Sequence, residues 1–327
     1  MSGKAPGSIM AFTLRRSWIA ALVAASMACA LSISASAAPT GKAFSTPEKA
    51  VEALVGALRK YNPKTLLAIF GKGSEALYQS VDPVADEANR KGFLELYDAK
   101  HELVPGADES MVVTVGTDPW PMPIPLVKTK QGWAFDTAAG MDEILDRRIG
   151  RNELSTIQAC LTIVDAEREY YAHDRDGDGI LEYAQAFRSV VGRHNGLFWP
   201  AEEGEPESPL GELVAQAAAE GYEAPIAAFH GYHYKLLTAQ GPAAKGGAYS
   251  YLAGDNQIGG FAVIAYPAAY GELGIMSFIV NQEGVVYQRD LGAETEAQAS
   301  KITTFDPVEG WTPVPEKDRA PLPAPED

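Results

Sequence analysis

Segments of helical period come before strand-like runs along this chain, and the order occurs twice. Helices followed by an antiparallel sheet, rather than alternating with its strands, is the order of an α+β fold. Thr46-Pro47 opens the first helix. The hydroxyl can cap a first-turn amide, and proline is tolerated at the first helical position, where its missing N–H is not needed. Val51, Leu54, Val55 and Leu58 then recur at i, i+3, i+4 and i+7, one helical face. Asn62-Pro63 repeats the signal for a second helix through Phe70, with Gly71 and Gly73 as its stop. A third helix is expected over residues 84–97, then strands over 111–115, 124–128 and 133–135, the last two joined by Lys130-Gln131-Gly132.

The second half starts with a helical stretch over residues 142–172, with a break expected near Gly150. Ile157, Cys160, Leu161 and Val164 share a face there, so Cys160 reads as a core thiol and not a nucleophile. An acidic Pro/Gly stretch at 202–209 and a helix at 210–219 lead into a β-rich third, with strands over 232–238, 261–266, 275–280 and 285–288. Gln282-Glu283-Gly284 is the expected hairpin turn. The organisation expected is a leader (1–37), an N-terminal α+β domain (44–150), a C-terminal α+β domain with an Asp-rich loop (151–311), and a disordered proline-rich tail (312–327), the boundary falling near 142–153.

Arg15-Arg16, an apolar run over residues 18–33 and Ala35-Ser36-Ala37 form the three parts of a secretory signal, with cleavage expected at Ala37-Ala38. The run is shorter than the ~20 residues of a membrane span, so no span is expected in the mature chain. Cys29 also raises a lipoprotein signal, but Ser26-Met27-Ala28 before it lacks the leucine such a signal carries. Export to the periplasm or beyond then leaves Cys160 as the one cysteine, and the fold must hold without an internal disulfide. The chain carries 27 basic and 43 acidic residues, a net charge of −16. That field disfavours nucleic acid and anionic lipid surfaces. It suits a basic partner or divalent cations.

The sharpest local motif is Asp174-Arg175-Asp176-Gly177-Asp178-Gly179. Calcium takes six to eight oxygen ligands, and carboxylates at alternate positions of a tight turn converge on one ion. Asp174, Asp176 and Asp178, with Glu182 at the ninth position, are therefore candidate calcium ligands; Gly179 supplies the bend, and Gln185 stands where a bidentate glutamate would be. The alternative is a solvated acidic turn ending the long helix. His230 and His233 form an HxxH pair, but residues three apart on a strand point to opposite faces. Trp120, within Thr117-Asp118-Pro119-Trp120-Pro121-Met122-Pro123, either lines a groove or packs as a strand edge. The tyrosines of the last third, Tyr232, Tyr234, Tyr249, Tyr251, Tyr266, Tyr270 and Tyr287, suit strand packing with a wet hydroxyl, or stacking on a sugar or peptide.

The segment Phe44-Ser45-Thr46-Pro47-Glu48-Lys49-Ala50, the segment 154–183 ending Asp-Arg-Asp-Gly-Asp-Gly-Ile-Leu-Glu-Tyr, and Gly231-Tyr232-His233-Tyr234-Lys235-Leu236-Leu237 together resemble a bacterial family, domain of unknown function 2950, over residues 44–311. The resemblance implies an exported bacterial protein and supplies no catalytic residues. The N-terminal part is also similar to cystatin-like, nuclear-transport-factor-2-like folds, and the second part to the globular head of pilin-like proteins; such likenesses imply no function. The expected function is a non-catalytic binding or assembly factor of the cell envelope, possible partners being an envelope protein or a glycan, with calcium as a stabilising ion. The alternative is an envelope hydrolase acting on glycan or peptide.

Overall fold

The computed structural model describes residues 41–175, 177–201, 204–222 and 229–319. Three helices come first: α1 (Pro47–Arg59), α2 (Pro63–Phe70) and α3 (Pro83–Ala99). Each begins with a capped proline. Thr46 Oγ1 accepts from the Lys49 N–H at 3.3 Å, Asn62 Oδ1 from Thr65 at 3.1 Å, and Asp82 Oδ1 from Ala85 at 3.0 Å. A five-stranded sheet follows, made of β1 (His101–Pro105), β2 (Met111–Val115), β3 (Trp120–Pro121), β4 (Leu126–Thr129) and β5 (Gly132–Phe135). Its order is β1-β2-β4-β5, with β3 on the edge of β2, all antiparallel. Leu54, Leu66 and Phe70 from the helices bury against Val113, Val115, Leu126 and Phe135 from the sheet. This is the first core.

Helix α4 (Thr137–Tyr171) is 35 residues long and does not break at Gly150. A side chain at Gly150 would meet open space, and Ile149 and Asn152 on either side of it are buried, so packing carries the helix through the glycine. At 1.5 Å per residue it spans roughly 50 Å. Its start, through Ile144, packs on the first core, and its end, through Ile157, Cys160, Ile163 and Val164, packs on a second. The boundary expected at 142–153 therefore falls inside one helix.

Helix α5 (Gly211–Glu220) and β6 (Tyr232–Leu237) come next, then four two-residue strands: β7 (Ala239–Gln240), β8 (Tyr249–Ser250), β9 (Leu252–Ala253) and β10 (Asn256–Gln257). The second large sheet adds β11 (Ala262–Pro267), β12 (Met276–Asn281), β13 (Tyr287–Asp290) and β14 (Thr312–Pro313) in the order β14-β13-β12-β11-β6, again antiparallel. Both of its faces are covered. Val263, Ala265, Phe278 and Val280 meet α4. Ala262, Ile264 and Ile279 meet Leu291, Ala299 of the short α6 (Thr295–Ala299), Phe305 and Trp311. This explains why residues 261–266 are apolar at every position rather than at alternate ones, since successive strand side chains point to opposite, equally buried faces.

Helices and antiparallel sheets make the chain an α+β protein, as the order of its segments implied. The tail needs correcting. Residues 312–319 are not disordered: β14 pairs with β13, Val314 is buried in the second core, and the Arg319 carbonyl accepts from Gln158 Nε2 at 3.2 Å. Burial of one valine and one added strand outweigh the prolines. Residues 320–327 lie outside the described residues. Among the described residues no helix is long and apolar enough to cross a membrane.

Candidate functional site

A groove opens beside the first core, between α3, the β3 segment and the start of α4. Its inner pocket has a volume of about 150 Å³ and is floored by Leu54, Leu66, Phe70 and Ile124. An outer trough of about 510 Å³ shares Leu77, Phe93, Trp120, Pro123 and Ile144 with the pocket, so the two are one continuous hollow. The sequence produces it in three ways. Helix α3 buries only Tyr97 fully and leaves Phe93 half-covered and Leu96 exposed. Gly92 places no side chain in the trough, and a Cβ built there would touch nothing within 4 Å. The prolines around Trp120 hold a short strand at the sheet edge, where the indole stays 40% exposed. Both readings of Trp120 thus hold: it is a strand edge, and it lines a groove.

The polar rim is mainly arginine. Ile144, Arg147, Arg148 and Arg151 recur on α4 at i, i+3, i+4 and i+7, so one helical face carries the groove wall and three guanidinium groups. Arg147 is committed: its Nε donates to Glu143 at 2.6 Å and its guanidinium lies 5.2 Å from the Trp120 ring. Arg90, at the inner end, donates to the Leu58 carbonyl at 3.2 Å and covers Tyr61. Arg148 is different. It is 7% exposed, its Nη2 donates to the Ala76 carbonyl at 2.8 Å, and its Nη1 makes no hydrogen bond, with Glu272 Oε1 at 3.9 Å. Arg151 has neither an ion pair nor a hydrogen bond among the described residues. Crowding by protein, and then the positive charge of Arg148, hold Arg151 below the ordinary arginine range, although the residue is exposed to solvent. Asp86 is the one acidic group in this lining, and both its oxygens accept from Ser80.

The aspartate loop lies at the far end of α4. Asp174 Oδ1 accepts from the Gly177 N–H at 2.7 Å and Oδ2 from the Gly179 N–H at 3.0 Å. Gly177 and Gly179 have φ of 81° and 86°, the left-handed conformation that folds the loop back on its first aspartate. Asp178 accepts from Ile180 N–H and from Asn256 Nδ2, and Glu182 accepts from the Gln257 N–H at 3.2 Å, so both tie the loop to β10. Asp176 lies outside the described residues. Among the described residues no group of three or more His, Cys, Asp or Glu is placed to hold a metal. Arg175 anchors the loop from below, its guanidinium between the rings of Tyr170 and Trp199 at 5.7 and 5.4 Å. Beneath the loop Glu167 is fully buried; its Oε2 accepts from the Ala184 N–H at 2.9 Å and its Oε1 has no hydrogen-bond partner. Burial pushes its carboxyl well above the usual range.

Comparison with protein families adds one finding. The family described as protein of unknown function (DUF2950) matches residues 41–314, most of the chain. The chain belongs to the DUF2950 family. No curated protein and no solved structure matches it.

The remaining reactive groups of this DUF2950 protein are occupied structurally. Cys160 is fully buried, and burial pushes its thiol up to about 12, so the thiolate that would attack a substrate is absent at neutral pH. The two histidines of the HxxH pair turn to different neighbours. His233 on β6 packs against Tyr266, while His230 lies before β6 beside Phe229, Tyr222 and Glu220. Tyr222 donates to Asp82 Oδ2 at 2.9 Å, and Asp82 Oδ1 caps α3, so this cluster clasps the end of α5 to the start of α3. Among the tyrosines, Tyr232 and Tyr251 are fully buried, whereas Tyr249 and Tyr270 reach solvent.

The arginine rim went unread in the sequence. Its signal, Ile144, Arg147, Arg148 and Arg151 at helical spacing, lies in the stretch where a domain boundary and a break at Gly150 are expected.

Proposed function

We propose that this DUF2950 protein is an exported, non-catalytic binding factor, and that the groove between α3, β3 and α4 is where it holds its ligand. The observation that carries this reading is the groove itself: a continuous apolar hollow whose polar rim is mainly arginine. Ligand sites are concave, mostly apolar and carry few orienting polar groups, and this one has that composition. The same composition weighs against the hydrolase reading, because glycan hydrolysis needs two facing carboxylates and the one carboxylate here is engaged by Ser80. Export rests on the leader at residues 1–37, which lie outside the described residues.

The test uses a neutral apolar dye, N-phenyl-1-naphthylamine, whose fluorescence rises in a dry site. The protein should bind it, and Gly92→Leu should weaken binding at least ~10-fold by filling the trough. The variant should melt no lower than the parent, because Leu has the better helix propensity by about 0.5–1 kcal/mol and its Cβ meets no atom within 4 Å there. Equal dye binding by both proteins would remove the groove from the account.

Calcium at Asp174, Asp176 and Asp178, with Glu182, is a second part of the proposal. It is supported by the alternating aspartates and by the two left-handed glycines that fold the loop. Calcium there would supply charge neutralisation and a cross-link between the end of α4 and β10. Millimolar calcium is expected to raise the melting temperature by a few degrees over chelator, as ligand linkage requires, and Asp176→Ala to abolish the rise. Melting curves that coincide in calcium and chelator would dismiss the ion.

A further inference from the structure

We propose that the ligand of the groove is a small amphiphile with a carboxylate head, its apolar body in the inner pocket and its head between Arg148 and Arg151. This deepens the binding reading above and depends on it.

Three observations meet here. The first is an unmet donor. Arg148 is more than nine-tenths buried, lines both the pocket and the trough, and has an Nη1 with no hydrogen bond. A buried, unpaired hydrogen-bond donor on a cation is costly, and such groups are normally satisfied by a partner. Glu272 at 3.9 Å is beyond hydrogen-bond range and is itself one-third exposed, so it compensates the charge only in part.

The second is like-charge crowding. Arg151 stands one helical turn from Arg148, has no anionic partner among the described residues, and feels Arg148 as a repulsion. Every other arginine of the rim is spoken for: Arg147 by Glu143, and Arg90 by the Leu58 carbonyl with Glu87 at 3.8 Å. In a chain with a net charge of −16, two adjacent arginines that share one distant carboxylate, Glu272 at 3.9 Å from Arg148, are a local inversion of the protein's field. Two guanidinium groups match the two oxygens of one carboxylate.

The third is size. The inner pocket, about 150 Å³ and lined by Leu54, Leu66, Phe70 and Ile124, has the volume at which a buried apolar cavity accepts a group such as a benzene ring. A chain of about six to eight carbons, or one aryl ring, fills it, and the trough gives access. A straight-chain acid and an aryl-alkanoic acid share this chemistry, and the experiment separates them.

Isothermal titration of the full protein tests the head group and the body independently. Octanoate and 3-phenylpropionate are compared with octanol, with octyltrimethylammonium and with acetate. Octanoate or 3-phenylpropionate should bind at least ~10-fold tighter than octanol, the ammonium amphiphile should bind weakest of the long ligands, and acetate alone should not bind measurably. Whichever of the two acids binds tighter identifies the body as chain or ring. Arg151→Gln, which breaks no hydrogen bond among the described residues, should weaken the acid about 5–10-fold and leave octanol unchanged. Raising the salt should reduce the preference for the acid in the parent more than in the variant. Gly92→Leu should remove acid binding. If octanol binds as well as octanoate, if Arg151→Gln leaves the acid's affinity unaltered, or if acid binding survives Gly92→Leu, the assignment is wrong. A protein that takes the neutral dye but shows no preference for an acid head keeps its groove and loses this ligand class.

Discussion

Phe278→Ala should cost about 3–5 kcal/mol of folding stability, the range for emptying a well-packed aromatic site. Phe278 is fully buried on β12, a central strand held between β11 and β13. Its ring lies 5.9 Å from that of Tyr232, on the sheet face that receives Ile157, Cys160, Ile163 and Val164 of α4. Strands on both sides and a long helix above leave little room for collapse, so most of the cavity should persist. A loss of that size is a large share of the ~5–15 kcal/mol that folded domains have in total. Urea unfolding should show a lower midpoint with an unchanged slope. Val191→Ala, at a fully exposed side chain, should stay within about 0.5 kcal/mol of the parent. A Phe278→Ala loss under ~1 kcal/mol would mean that the second sheet does not pack on α4 as described.

The second large effect concerns pH. Glu167 is fully buried among apolar neighbours, accepts one backbone N–H from Ala184, and has its carboxyl pushed well above the usual range by burial. The folded protein therefore keeps the proton at pH values where the unfolded chain, with an ordinary carboxyl near 4.5, has released it. A native state that binds more protons loses stability as pH rises. Glu167 should thus cost nothing below about pH 4.5 and progressively more above it, until its folded pKa is passed. Glu167→Gln keeps the shape and cannot ionise. Its stability relative to the parent should rise between pH 5 and pH 8, by more than ~1 kcal/mol at the upper end, an unsatisfied buried carboxylate costing at least that much. Comparing the two proteins at each pH cancels the charge repulsion common to both. A difference that stays constant from pH 5 to pH 8 would show that burial does not hold the Glu167 carboxyl above its unfolded range.

The parts of the fold that were legible in the sequence are those decided by neighbours in the chain. Thr46-Pro47 and Asn62-Pro63 announced α1 and α2 to the residue, because a cap and a proline act within one turn. Residues 111–115 gave β2 without error, since its alternating side chains are β-branched or apolar. Other elements depend on distant chain. Strand β1, His101–Pro105, begins with two exposed polar residues and is a strand because it pairs with β2. Helix α4 continues through Gly150 because Ile149 and Asn152 are buried by tertiary packing, Asn152 donating to the Leu273 carbonyl at 2.9 Å across 121 residues. The groove is the extreme case. It exists only where α3, Trp120 and α4 meet, and no local pattern states that Gly92 will line the same trough as Arg148. The aspartate turn, by contrast, was visible at once, because its hydrogen bonds run between residues three to five apart.

The most direct test of the central claim is photo-crosslinking with an octanoate analogue carrying a diazirine on its chain, followed by peptide mapping. Adducts should fall on peptides containing Phe93, Trp120 or Ile144 and should disappear in Gly92→Leu. Adducts gathered around the aspartate loop or the second sheet, or labelling that Gly92→Leu leaves intact, would contradict a ligand seated between α3, β3 and α4.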